Sequence, residues 1–163
     1  MLADLIEKFK VVNSVGEEIG KIKDIYIDIN TWKIAAFEIS PGALKKNIMI
    51  RSRDISKFDE SSKHILLKDG YETSEASKQV LKEMYPFNEL KKHHVVDSDG
   101  EKIGKIYNLE IPIEKLRQYK VWKILVKTGF KERRIRISPK EIKEIMDDIR
   151  LAKTIEHYQE SDQ

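Results

Sequence analysis

Cysteine is absent from this 163-residue sequence. Disulfides, thiolate metal sites and a cysteine nucleophile are therefore excluded, and the composition suits a reducing cytoplasm. Long hydrophobic runs are also missing. Apolar stretches such as NIMI and WKILV fall far below the ~20 residues of a membrane span. No signal-peptide core precedes a small-residue cleavage site. There is no large excess of one charge, the net value being +3. The balance is uneven along the chain, however. Residues 1–85 carry 14 basic and 14 acidic groups, residues 86–140 carry 14 and 7, and residues 141–163 carry 3 and 7. The basic body of the second half suits nucleic acid, anionic lipid or an acidic protein partner, and its acidic tail could fold back on it.

What is present is a repeat. GEEIGKIKDI begins at Gly16 and GEKIGKIYNL at Gly100. At a shift of 84 residues, Val11, Val12, Ser14, Gly16, Glu17, Ile19, Gly20, Lys21 and Ile22 meet identical residues, nine within a window of twelve. Trp32-Lys33-Ile34 then matches Trp122-Lys123-Ile124 at a shift of 90, which reads as six inserted residues. Ile48 and Ile50 match Ile135 and Ile137 at 87. Elements that persist while loops vary indicate two copies of one small fold.

The local pattern is that of strands. KIKDIYIDI, KIAAFEI, NIMI, HILL, WKILV and RIRI are short, β-branched or aromatic, and bounded by turn residues. SVGEE and SDGEK read as hairpin turns, with Gly16 and Gly100 at positive φ. Gly20 and Gly104 lie inside strand patterns and mark a bulge or tight bend. Two segments read as helix. TSEASKQVLKEMY carries Ala76, Val80, Leu81 and Met84 on one stripe, a connector between the copies. Ser138-Pro139-Lys140-Glu141 resembles a capping box with Pro at the first helical position. Ile142, Ile145, Met146, Ile149 and Ala152 follow at helical spacing, which predicts a helix over about 139–157 and a second copy lacking its closing strand. The helix would then cover the exposed sheet edge, and its Glu144, Asp147 and Asp148 would lie near Arg134 or Arg136.

The succession V-V-x-S-x-G-E-x-I-G-K-I, an I-x-I-D strand and W-K-I-A-A-F-E-I resembles the PRC-barrel family, in two tandem copies. The second copy departs from it through IPIEKLRQYK. The resemblance implies mainly β architecture, as two small barrels, and a docking role rather than a reaction. Members include the photosynthetic reaction-centre H subunit and the ribosome-maturation factor RimM, whose barrel binds a small-subunit ribosomal protein. Small stand-alone archaeal members, which this cysteine-free, Ile/Lys/Glu-rich chain resembles most, accompany the FtsZ ring in cell division.

Residue patterns for catalysis do not emerge. His93 and His94 are adjacent, so on a strand they face opposite ways, and His64 and His157 are isolated. DSDGE fails the calcium-loop register, since Ile106 stands where the bidentate Glu belongs. The two glycine hairpins have neither the dinucleotide nor the Walker spacing, and no G-x-S-x-G elbow occurs. The expectation is a non-enzyme without cofactor or metal. In KERRIRI, the residues Lys131, Arg133, Arg134 and Arg136 form a candidate partner-binding patch, because a planar guanidinium pairs with carboxylate or phosphate bidentately. Few aromatics stand near this run in sequence, which disfavours RNA. MLADLIEKF has Leu2, Leu5, Ile6 and Phe9 at helical spacing. Asp4 and Glu7 argue against a membrane-surface anchor, and NELKKHHVV at the 84 shift supplies a similar lead-in, so the stretch reads as the start of the first copy.

The expected organisation is a first barrel over 1–72, a helical connector over 73–85, a second barrel over 86–140 and a C-terminal helix with tail over 141–163. The expected role is an adaptor that docks other proteins, cell-division proteins by the resemblance. It would work in the cytoplasm or at the division site, self-associating as a homodimer or higher oligomer and without a membrane span. A ribosome-maturation or RNA-linked factor is the alternative.

Overall fold

The computed structural model describes residues 1–42, 45–75, 84–112, 119–129 and 133–160. The first half opens with a short helix, α1 (Ala3–Ile6), followed by β1 (Lys10–Val12), β2 (Glu18–Asp28), β3 (Lys33–Ser40) and β4 (Ile48–Arg51). A 3-10 turn over Ser52–Asp54 leads into β5 (Ile55–Asp59), β6 (His64–Leu67) and β7 (Thr73–Glu75). After β8 (Met84–Pro86), the second half repeats the series. It runs α2 (Phe87–Leu90), β9 (His94–Val96), β10 (Lys102–Glu110), β11 (Lys123–Thr128), β12 (Arg134–Ile137), a 3-10 turn over Pro139–Glu141, β13 (Ile142–Ile145) and β14 (Asp148–Leu151). α3 (Ile155–Glu160) ends the described chain. The sheets run β5-β6-β1-β2-β3-β4-β7 and β13-β14-β9-β10-β11-β12, with β8 added to β2. β1 pairs parallel with β6, and β9 parallel with β14. The fold is therefore mainly β, as expected, in two small sheets of one strand order. Neither sheet is closed by a β4–β5 or β12–β13 ladder among the described residues.

The six strands anticipated from alternation all form. Each hairpin glycine, Gly16 and Gly100, has φ 86°. Beside Gly20 and Gly104 the register slips, because Ile19 and Ile103 are extra residues against β1 and β9. A Cβ on Gly20 would strike the Ser40 carbonyl, and one on Gly104 the Lys127 carbonyl. Both glycines thus allow two backbones to approach closely.

The long C-terminal helix does not form. Ile142–Ile145 and Asp148–Leu151 are strands of one hairpin, pairing Ile142 with Leu151 and Ile145 with Ile149. Two short strands joined by a two-residue turn, with a bulge between Ile142 and Glu144, reproduce the spacing of a helical stripe. Met146, expected on the buried stripe, is 68% exposed at the turn. The Ser138 signal is real but local: its Oγ accepts from the Lys140 amide at 3.4 Å and caps a single 3-10 turn. β13 and β14 supply the strand expected to be missing and correspond to β5 and β6. Of the connector helix, residues 76–83 lie outside the described residues, while both flanks, Thr73–Glu75 and Met84–Pro86, are strand.

The paired registers also correct the alignment of the copies. Ile25 pairs with Phe37 and Leu109 with Ile124, so β3 and β11 match at 87 rather than 90. Trp122 therefore stands in the place of Ala35, and the true counterpart of Trp32 is Tyr119. Both have left-handed backbones, φ 55° and 46°.

The copies clasp each other about a pseudo-two-fold axis. The Ile34 amide donates to the Tyr119 carbonyl and the Val121 amide to the Trp32 carbonyl, each at 2.8 Å, around a bridge between Lys33 and Lys120. Their leading segments are exchanged. β8 pairs with β2 of the first copy, while Leu2 bridges Glu110 and Met1 exchanges backbone bonds with Ile111 of the second. α1 packs on β10 and α2 on β2. MLADLIEKF is thus buried through Ala3, Ile6 and Phe9 as a lead-in, but one lying across the opposite copy. A single apolar cluster runs from Ala3 to Tyr158 through both sheets. Burying a side chain such as Phe87 or Leu109 contributes about 2–3 kcal/mol relative to exposure.

Polar groups set this clasp. Asp24 Oδ1 accepts from the amides of Ile25 (2.8 Å) and Asn88 (3.2 Å). Its counterpart Asn108 accepts from Leu109 (3.0 Å) and Asp4 (3.2 Å). Burial pushes the Asp24 carboxyl up, against those amide donors. Glu7 is also pushed up by burial, partly offset by Lys91, and its Oε1 is buried without a hydrogen-bond partner among the described residues.

Candidate docking surface

Cross-strand partners share a face, so the ladder decides which side chains meet. In the second sheet, Lys105 pairs with Lys127 and Lys127 with Arg134, placing three cations in one row. All three are exposed, and none forms an ion pair with a described residue. The next row sets Leu125 against Arg136, and the following one Glu110 against Lys123. Arg136 is bound to Glu110 through Nε–Oε1 at 3.0 Å and Nη2–Oε2 at 2.7 Å, which holds the guanidinium pKa up. It also lies 5.7 Å from the Trp122 ring centroid, and Arg134 lies 5.3 Å from that of Tyr107. Trp122 is 58% exposed and lines a groove with Pro112, Lys120, Ser138, Pro139 and Lys140.

Of the expected partner-binding residues, the fold brings Arg134 and Arg136 to this face, and Arg133 precedes β12. Lys131 lies outside the described residues. Arg136 is engaged by Glu110, not by Glu144, Asp147 or Asp148, and Glu144 pairs with Arg150 at 3.6 Å. Lys105, Lys127, Tyr107 and Trp122 were missed as site residues. Alternation in WKILVK could have put Lys123, Leu125 and Lys127 on one side, but only the pairing register aligns them with Lys105 and Arg134.

The glycine hairpin of the second copy is held from outside. Asp97 is 1% exposed, and its carboxylate accepts from the amides of Glu101, Asp99 and Ile155, each at 2.9 Å. Burial works to raise its pKa, but these donors prevail and hold it below the ordinary range. The acidic loop thus serves as an anchor for α3. His93 Nδ1 lies 2.9 Å from the Asp147 carbonyl and His157 beside Lys153, with no cluster of His, Asp or Glu suited to a metal among the described residues.

The corresponding face of the first sheet is different. Tyr26, Ala36 and Met49 lie under Met84 as a separate apolar cluster. Glu38 accepts from the Tyr26 hydroxyl and the Asn47 amide, both at 3.1 Å. This sheet lies in the segment that a known family covers. Residues 1–73 match the PRC-barrel domain. A search of curated proteins finds no match to the chain. The PRC-barrel match takes in β1–β6 and ends at the first residue of β7, and the strand order it covers, β5-β6-β1-β2-β3-β4, recurs as β13-β14-β9-β10-β11-β12. No helix among the described residues is long and apolar enough to cross a membrane.

Proposed function

We propose that the chain is a non-catalytic adaptor made of two PRC-type barrels, the second of which docks an acidic protein on its outer face. The row Lys105–Lys127–Arg134 carries this reading. Like charges directly opposite on a ladder are destabilising, by roughly 0.2–1 kcal/mol per pair. The first copy has Lys21 against Ser40 there, so the fold itself does not require the cations. An acidic partner would relieve the repulsion and find Arg134 and Trp122 beside it. From the resemblance we further propose that the partner belongs to the archaeal FtsZ ring, and that the chain works in the cytoplasm at the division site. A homodimer of chains is a separate proposal, checked by light scattering at high micromolar concentration.

One observation favours a second reading, single-stranded RNA. Tyr107 and Trp122 stand beside the arginines in space though distant in sequence, and aromatics next to cations stack bases. The test uses labelled polyglutamate and single-stranded RNA over a salt series. Lys105→Ala/Lys127→Ala/Arg134→Ala should lower polyglutamate affinity at least tenfold with the fold intact. RNA binding that is tighter and falls steeply and log-linearly with salt would shift the assignment to RNA. Equal binding by the triple variant and the parent would refute both readings.

A further inference from the structure

The first copy displays a contact whose basic half is repeated in the second copy without, among the described residues, the strand that presents its acidic half. β7 lies antiparallel on the outer edge of β4, pairing Ile48 with Glu75, Met49 with Ser74 and Ile50 with Thr73. Its carboxylates approach two cations, Lys46 to Glu75 and Arg53 to Glu72, each at 3.9 Å. The shift of 87 carries β4 onto β12, with Ile48, Met49 and Ile50 becoming Ile135, Arg136 and Ile137. It carries Lys46 onto Arg133 and Arg53 onto Lys140. The edge and both flanking cations are thus retained. Among the described residues, however, β12 pairs with β11 alone. The chain after β14 becomes α3, held by the Tyr158 hydroxyl on Glu141 at 2.8 Å and lying against β12. A helix bonds its backbone along its own axis and adds nothing to a ladder.

We propose that the edge of β12, unpaired among the described residues, receives, by strand addition, an extended acidic segment of the partner protein. That segment carries two carboxylates three residues apart and lies in the register β7 takes on β4. Main-chain bonds supply the affinity and the flanking cations choose the sequence. Surface ion pairs of this kind are individually weak, so the carboxylates select rather than hold. The inference rests on the docking reading above and specifies how the partner binds.

The test is a titration of the isotope-labelled intact chain with the peptide GYETSEAS, whose sequence is that of residues 70–77, followed by amide shift changes. Two further peptides carry N-methyl groups on alternate backbone amides, one in each phase. Shift changes should centre on residues 134–137, and one N-methylated phase should abolish them. Arg133→Glu/Lys140→Glu should weaken binding at least tenfold, while Lys46→Glu/Arg53→Glu should leave it unchanged. If both N-methylated peptides bind like the parent, strand addition is wrong although acidic docking stands. If only the Lys46/Arg53 variant loses binding, the peptide replaces β7 on β4 and the inference fails. If GYETSEAS does not bind while polyglutamate does, the inference fails alone. If neither binds, both readings fall.

Discussion

Tyr26, Ala36 and Met49 of the first copy lie beneath Met84, whereas the same ladder positions of the second hold Glu110, Lys123 and Arg136. Inside, the two copies are nearly interchangeable: Ile22, Ile25 and Val11 stand where Ile106, Leu109 and Val95 stand, all buried. The interior is fixed by the need to fill one shared core. The outer faces escape that constraint, so one could be closed over while the other kept an exposed tryptophan and cations that pair with no described residue. Binding capacity on a duplicated fold is therefore to be sought where the copies diverge outside, not where they agree inside.

The close approach at Gly20 and Gly104 gives the largest expected effect, because the obstacle to a side chain is backbone. Gly20→Ala and Gly104→Ala should each cost about 3 kcal/mol in urea unfolding. Gly16→Ala meets open space but sits at positive φ, and should cost about 1 kcal/mol. Similar losses at Gly104 and Gly16 would show that the strands can separate to admit a methyl group.

Next come the reciprocal anchors. Asp24→Ala and Asn108→Ala each strand one buried and one part-buried amide, at a cost of about 2 kcal/mol per variant. Comparable values would support the pseudo-two-fold clasp, and a loss confined to one of them would show that only one exchanged segment is held this way.

pH separates the copies further. Glu7 and Asp24 have raised folded-state pKa values, so their contribution is fully present below the unfolded carboxylate pKa. It is lost as pH rises through the raised values. Asp97 is the opposite case: its contribution is present above the unfolded pKa and lost as pH falls through the lowered one. Glu7→Gln/Asp24→Asn should therefore raise the melting temperature near about pH 7, with the gain vanishing in acid, whereas Asp97→Asn should lower it most near neutrality. A pH-independent difference in either variant would mean that the carboxyl charge is not what matters.

The smallest effects belong to the outer face. Arg136→Ala should cost about 1 kcal/mol, since the Arg136 side of its pair with Glu110 is half exposed. Lys127→Ser, which copies the residue at Ser40, should be neutral or stabilising by up to about 0.5 kcal/mol. A clear destabilisation by Lys127→Ser would show that the cation row is structural, and would remove the main support for a docking role.

The sequence by itself determined the repeated glycine hairpin, the six strands found by alternation, the turn glycines and the bulges beside Gly20 and Gly104. These are local consequences of period-two burial and of backbone angles that few residues tolerate. It misled at Ile142–Ala152, where one apolar spacing serves both a helix and a bulged hairpin. Pairing with β9 decided the matter, because β14 fills that strand's free edge. It misled again at Trp32 and Trp122, where a shared tripeptide outweighed a register visible only in the ladder. Three things had no local signal: the exchange of leading segments, the Asp24 and Asn108 anchors, and the row Lys105–Lys127–Arg134. The first two join residues far apart in sequence and depend on how two sheets share one core, and the third depends on the pairing register of β10, β11 and β12.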